Sequence, residues 1–254
     1  MGPVTANRLR WGALAWLLTL QFFVVETVVE LRVEGGYSRT DDVISALGAA
    51  TSPAAQLMNA SFVLQAALIL AGTLALRPTL RGTAGRAAVV LLGAAAAGVL
   101  LVGVFPLDGN LTAHRTGAIL YLAGGALGLI ALAYAVRRLS EAVGTALAFL
   151  GLVGAAGTVF FLTGVTSYLG EGGTERAAAY VLPIGLALAG AALWRMGGDP
   201  VALQERARAK AERAERERER DEALEAAARR HEARVAEPSD DPDEHWSAPV
   251  RRGD

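Results

Sequence analysis

Four side chains in the first half of the chain carry the chemistry of a hydrolytic or acyl-transfer site: Asp42, Ser45, Asp108 and His114. An imidazole takes up and returns a proton near neutrality, and a carboxylate beside it holds the ring in one orientation. His114 with Asp42 or Asp108 therefore reads as a base with its orienting acid, and Ser45 as a nucleophile or an oxyanion donor. The same His114, Asp42 and Asp108 form the candidate ligands of a metal-bound water. Catalytic zinc sites usually draw on two or three histidines, however, and His114 is the only histidine before residue 231, so no metal is expected. GxSxG and HExxH patterns are both missing. A second set suits the holding of a ligand: Glu26, Tyr37, Asn59, Arg115, Glu175 and Arg176.

What must position these residues is a membrane. The chain has 254 residues, 53% of them hydrophobic, and a mean hydropathy of +0.36. Residues 1–196 hold only 12 of the 24 basic and 9 of the 25 acidic side chains, too few for a soluble domain of that size. Crossing the hydrocarbon takes about 20 apolar residues. Six stretches qualify, at about 11–31, 53–76, 87–105, 115–136, 145–168 and 177–196. Lipid offers backbone amides no partner, so each is a helix, and the fold class is all-α: a polytopic bundle of six transmembrane helices. The first stretch is longer than a signal-peptide core and has no small-residue cleavage site after it, so it reads as a retained span. Zero cysteines exclude disulfides, iron–sulfur clusters and thiolate metal sites, and the only lysine, Lys210, lies outside the spans; no cofactor is expected.

The short loops set the orientation. Arg8, Arg10, Arg77, Arg81, Arg86, Arg137, Arg138 and Arg195 fall on one side, against Arg32, Arg39, Arg115 and Arg176 on the other, which puts both termini in the cytoplasm. The polar side chains of the spans then gather at the outer leaflet: Glu26 and Glu30, then Gln56, Asn59, Ser61 and Gln65, and then Thr163, Thr166, Ser167 and Tyr168. The loop at 37–48 reads as a short amphipathic helix, capped by Thr40 or Asp41 and ended by Gly48, lying flat as a lid. Pro106 ends the third span, and Gly109-Asn110 turns the chain. Small residues recur along the spans (Gly93 and Ala94–Ala97; Gly124, Gly125 and Gly128; Gly151, Gly154 and Gly157) and read as close packing of helix on helix.

The last 58 residues reverse the composition, with 12 basic and 16 acidic side chains. Residues 197–237 read as a charged cytoplasmic helix starting at Pro200 with Asp199 as its cap, and 238–254 as a disordered end. Glu212 with Arg216 and Glu225 with Arg229 make supporting pairs. Lys210 and Glu217 fill would-be core positions, so no coiled coil is expected, and residues 200–237 present an arm for a cytoplasmic protein partner. His231 and His245 sit in these solvated stretches. A net charge of −1 argues against nucleic acid as a partner.

The pattern Tyr37-Ser38…Asp42-x-Ile44-Ser45-x-Leu47-Gly48, then Asn59-x-x-Phe62, then Gly103-x-Phe105-Pro106-x-Asp108…His114, resembles the DUF998 family of bacterial six-span membrane proteins. The likeness covers most of residues 11–196, with Glu175-Arg176 fitting it and the tail outside it. It implies a six-helix bundle and, since the family's activity is undefined, no reaction. The layout is also distantly similar to that of the Frag1/DRAM/Sfk1 membrane proteins, some of which organise lipid. The nearly lysine-free, Ala- and Arg-rich usage points to a GC-rich bacterial genome, hence a bacterial plasma membrane. Three uses of the polar cluster stay open on the sequence: a clamp that fastens the external loops to the bundle, a lipid hydrolase or transferase using His114, and a transporter or a protein that binds membrane lipid. The sequence sets no oligomeric state.

Overall fold

The computed structural model describes residues 6–196 and 200–236, and every regular element among them is helical. The order is α1 (Ala6–Leu18), α2 (Gln21–Glu30), a 3₁₀ turn (Ile44–Gly48), α3 (Ala55–Leu76), α4 (Gly82–Val104), α5 (Leu111–Val136), α6 (Glu141–Thr163), α7 (Gly170–Ala179), α8 (Val181–Met196) and α9 (Pro200–Ala236). Helices α1 and α2 together make one apolar span, as do α7 and α8, giving six spans of 22 to 26 residues. At ~1.5 Å per residue each is long enough for a hydrocarbon core of ~30 Å. The chain is a multi-pass membrane protein.

Two spans are broken, and the sequence says why. In the first, Thr19 and Leu20 make three-residue bonds back to Trp16 and Leu17. The Thr19 hydroxyl donates to the Trp16 carbonyl at 2.6 Å, a local bond that bends helices. In the last, Pro183 has no N–H to give the Ala179 carbonyl. That carbonyl accepts instead from the Tyr121 hydroxyl on α5, at 3.3 Å. In a membrane every such group needs a partner inside the protein.

Of the span boundaries that shift from the sequence reading, two move polar side chains across a helix end. The fifth span stops at Thr163 rather than 168, because Gly164 turns left-handed (φ 72°) and Val165 bonds back to Phe160 in a Schellman closure. Thr166, Ser167 and Tyr168 therefore leave the bundle, and Tyr168 is 91% exposed. The last span begins at Gly170, not 177, so Glu175 and Arg176 stand inside a helix instead of before one.

Close packing rests on the small residues. A Cβ added at Gly117 on α5 would lie 2.7 Å from the Gly98 carbonyl on α4, so the two backbones touch where any side chain would separate them. The buried Trp16 indole lies against Gly72 of α3. Arg8 donates to the carbonyls of Ala75 and Leu74 at 3.0 and 2.8 Å, closing the C-terminal end of α3.

Helix α9 falls in a second compact unit beginning at Glu205. Its expected pairs form, Glu212 with Arg216 at 3.7 Å and Glu225 with Arg229 at 3.1 Å. The Asp199 cap, the disordered end at 238–254 and His245 lie outside the described residues, as does the side chain of His231.

Candidate functional site

The segment 37–50 crosses one end of the bundle and is tied to four elements. It first closes on itself: the Ser38 amide donates to Asp42 at 2.8 Å and the Ser38 hydroxyl to Asp41 at 2.6 Å. The 3₁₀ turn follows, with Ile44, Ser45, Leu47 and Gly48 buried. It is a plug rather than a lid lying flat, and neither Thr40 nor Asp41 caps it. The Ile44 amide donates to the Glu175 carboxylate of α7. Asn59 of α3 donates to the Gly48 carbonyl at 2.9 Å, and Asp108, in the α4–α5 connection, accepts from the Ala50 amide at 2.8 Å. A short 3₁₀ turn leaves its terminal amides and carbonyls open, and these side chains close them.

Arg176 does the rest of the fastening. It is 6% exposed, and its ion pair with the fully buried Glu26 of α2 is 3.0 Å long. Its other N–H groups donate to the carbonyls of Arg39 and Asp42, each at 2.8 Å, and to the Tyr37 hydroxyl at 2.6 Å. Tyr37 in turn donates to the Val43 carbonyl at 2.9 Å, and Tyr180 donates to the second Glu26 oxygen at 2.7 Å. Burial pushes the Tyr37 phenol up to about 12, with the Arg176 bond opposing it. A guanidinium has five N–H groups, and here each has an acceptor. The network is saturated: it joins α2, α7 and the loop and offers little to a ligand.

Beneath the plug lies a cavity of ≈ 40 Å³. A water needs roughly 10–15 Å³ measured this way, so about three would fill it. Ser45 of the plug, His114 and Tyr121 of α5 and Glu175 of α7 line it, with Phe22, Phe62 and other hydrocarbon side chains completing the wall. His114 is 4% exposed, and its Nδ1 lies 2.7 Å from the Phe105 carbonyl. Pro106 ends α4 there, which frees that carbonyl to receive the ring N–H. A carbonyl only accepts, so Nδ1 carries a proton in that bond.

The match to family models decides the family: residues 15–201 match the model described as "Protein of unknown function (DUF998)". The chain belongs to the DUF998 family. No curated protein and no solved structure matches it. In this DUF998 member the candidate residues named above divide into three groups. Ser45, His114 and Glu175 share the cavity. Glu26, Tyr37 and Arg176 form the saturated network, while Asp42, Asn59 and Asp108 hold loop backbone. Arg115 is exposed and has no recorded partner among the described residues.

The expected pairing of His114 with Asp42 or Asp108 does not form: each carboxylate holds a backbone amide with one oxygen, and the His114 Nδ1 is bound to a carbonyl. The same fact undoes the metal constellation, since among the described residues no three His, Asp or Glu side chains converge. Asp42 accepts from a loop amide as a clamp requires, but not from Arg115. Sequence reasoning missed Tyr121 and Tyr180. Both sit in apolar spans, yet each has a signal: Pro183 strips a partner from Ala179, and Tyr180 follows Arg176 by one helical turn.

Proposed function

We propose that this DUF998 protein binds membrane lipid, seating one polar group of the lipid in the cavity between Ser45, His114 and Glu175. One observation carries the reading. Three polar side chains with unengaged atoms meet in a cavity otherwise walled by hydrocarbon, the usual make-up of a ligand site, while the neighbouring Arg176 network is already satisfied. The excess of arginine at the opposite end supports a bundle with both termini in the cytoplasm and this end facing out, in contact with the outer leaflet. The test is native mass spectrometry of the detergent-extracted protein. Wild-type chain retains one lipid; Ala118→Phe, which fills the cavity from α5, loses it without lowering the melting temperature. Wild-type protein free of any lipid would overturn the reading.

A second reading has its own observation. The Phe105 carbonyl orients His114 through Nδ1, and Ser45 lines the same cavity, the residue types of a general base and a hydroxyl nucleophile. A lipid hydrolase or transferase would lose turnover of a lipid ester or amide in His114→Ala while keeping its melting temperature. A variant that merely melts earlier assigns His114 to structure. Transport has less support, because the ionisable side chains buried in the bundle gather at one end of it, where Glu26 and Arg176 neutralise each other.

A further inference from the structure

We infer that the Ser45–His114–Glu175 cavity is a site for a primary ammonium group; that this group belongs to a lipid rests on the reading just proposed. The argument is an inventory of donors and acceptors. His114 gives its Nδ1–H to Phe105 and its ring lines the cavity, where the Nε2 of a neutral imidazole would accept. Glu175 accepts the Ile44 amide with Oε2 and keeps Oε1 unengaged. Ser45 makes no side-chain hydrogen bond among the described residues, and its oxygen accepts as readily as it donates. Tyr121 has already given its proton to Ala179. What remains is three groups able to accept, Glu175, Ser45 and His114, with no lysine or arginine among the lining residues. A phosphate or a carboxylate would face the Glu175 carboxyl with no basic side chain on the wall to offset it.

Charge points the same way. The nearest guanidinium, Arg176, is matched by Glu26, and neither it nor any other basic side chain among the described residues forms an ion pair with Glu175. His114 does not pair with Glu175 either, so the two face the cavity without touching. A carboxyl walled by hydrocarbon either keeps its proton or meets a cation, and a bound cation would hold Glu175 ionised. Size then selects among cations. A primary ammonium is close to water in volume, fits ≈ 40 Å³, and carries three N–H donors for the three acceptors. A trimethylammonium has none and is larger; a guanidinium is planar with five.

The experiment offers lipid-stripped, full-length protein in detergent an equimolar mixture of phosphatidylethanolamine, phosphatidylcholine and phosphatidylglycerol with identical acyl chains, and reads retained lipid by native mass spectrometry. Phosphatidylethanolamine is expected about tenfold over either competitor, ~1.4 kcal/mol. Glu175→Gln keeps an oxygen for the Ile44 amide but removes the charge, and the preference is expected to fall below about twofold with total bound lipid unchanged. Ethanolamine and tetramethylammonium, compared at equal ionic strength for their effect on melting temperature, separate a free amine from a lipid-borne one. A rise with ethanolamine and no retained lipid keeps the ammonium site and removes the lipid. Lipid retained without headgroup preference overturns the ammonium site and leaves the lipid reading standing. No lipid and no response to ethanolamine overturns both.

Discussion

At the scale of single residues, the polar end is fastened by one buried charge pair, and its chemistry sets two expectations. Glu26 is fully buried and faces the guanidinium of Arg176 at 3.0 Å. Glu26→Gln leaves that guanidinium inside the bundle without a counter-charge, a loss typically of about 3–5 kcal/mol, so the melting temperature in detergent should fall sharply. Exposed pairs such as Arg137 with Glu141, at 3.8 Å, should change little when broken. Tyr37 supplies a pH signature. Its phenol titrates near 10 in the unfolded chain and at about 12 in the folded one, because burial disfavours the charged form. The folded state therefore holds that proton more tightly; its contribution is complete below pH 10 and is lost as pH climbs toward 12. The melting temperature of wild-type protein should decline across that window more steeply than that of Tyr37→Phe, and equal slopes would show that Tyr37 is not the group. Sequence identified Glu26, Tyr37 and Arg176 as polar groups needing a reason. It did not reveal that they satisfy one another, because Glu26 and Arg176 are 150 positions apart.

At the scale of elements, the span count was legible because lipid permits only one backbone solution, and twenty apolar residues in a row announce it. The breaks were less legible. Thr19 and Pro183 are ordinary residues in an apolar run, and their effect shows only once α5 brings Tyr121 beside Ala179. The Glu175-Arg176 pair read as a loop because charge so near a span suggests an end, whereas helix α7 starts at Gly170 and carries the pair inward. The link between Tyr121 and Pro183 makes a coupled prediction. Tyr121→Phe strands the Ala179 carbonyl and should cost about 1–3 kcal/mol. Pro183→Ala restores an N–H four residues on, so in that background Tyr121→Phe should cost much less. Melting temperatures of the wild type, the two single variants and the double variant form a double-mutant cycle. Additive losses would mean that the hydroxyl does not serve that carbonyl.

At the scale of the whole molecule, the side chains that hold the 37–50 segment come from both ends of the sequence yet converge on one end of the bundle. Asn59, Asp108, Glu175 and Arg176 each bond to that segment, so the start of α3, the α4–α5 connection and the start of α7 must lie on the same side of the membrane. An even number of spans between the first and last of these elements satisfies the requirement, and so does the arginine bias, which sets the other loops on the opposite side. The absence of native cysteine makes the arrangement directly testable. Cysteines introduced at the exposed positions Glu34 and Gly109 should react with an impermeant maleimide on intact cells. Cysteines at Arg77 and Arg138, exposed at the other ends of α3 and α5, should react only after permeabilisation. Reversed labelling of all four would turn the protein over and leave the cavity whole, moving its lipid to the inner leaflet. Glu34 and Gly109 labelled from opposite sides would separate the plug from His114, and neither a lipid nor an ammonium group could then be held between them.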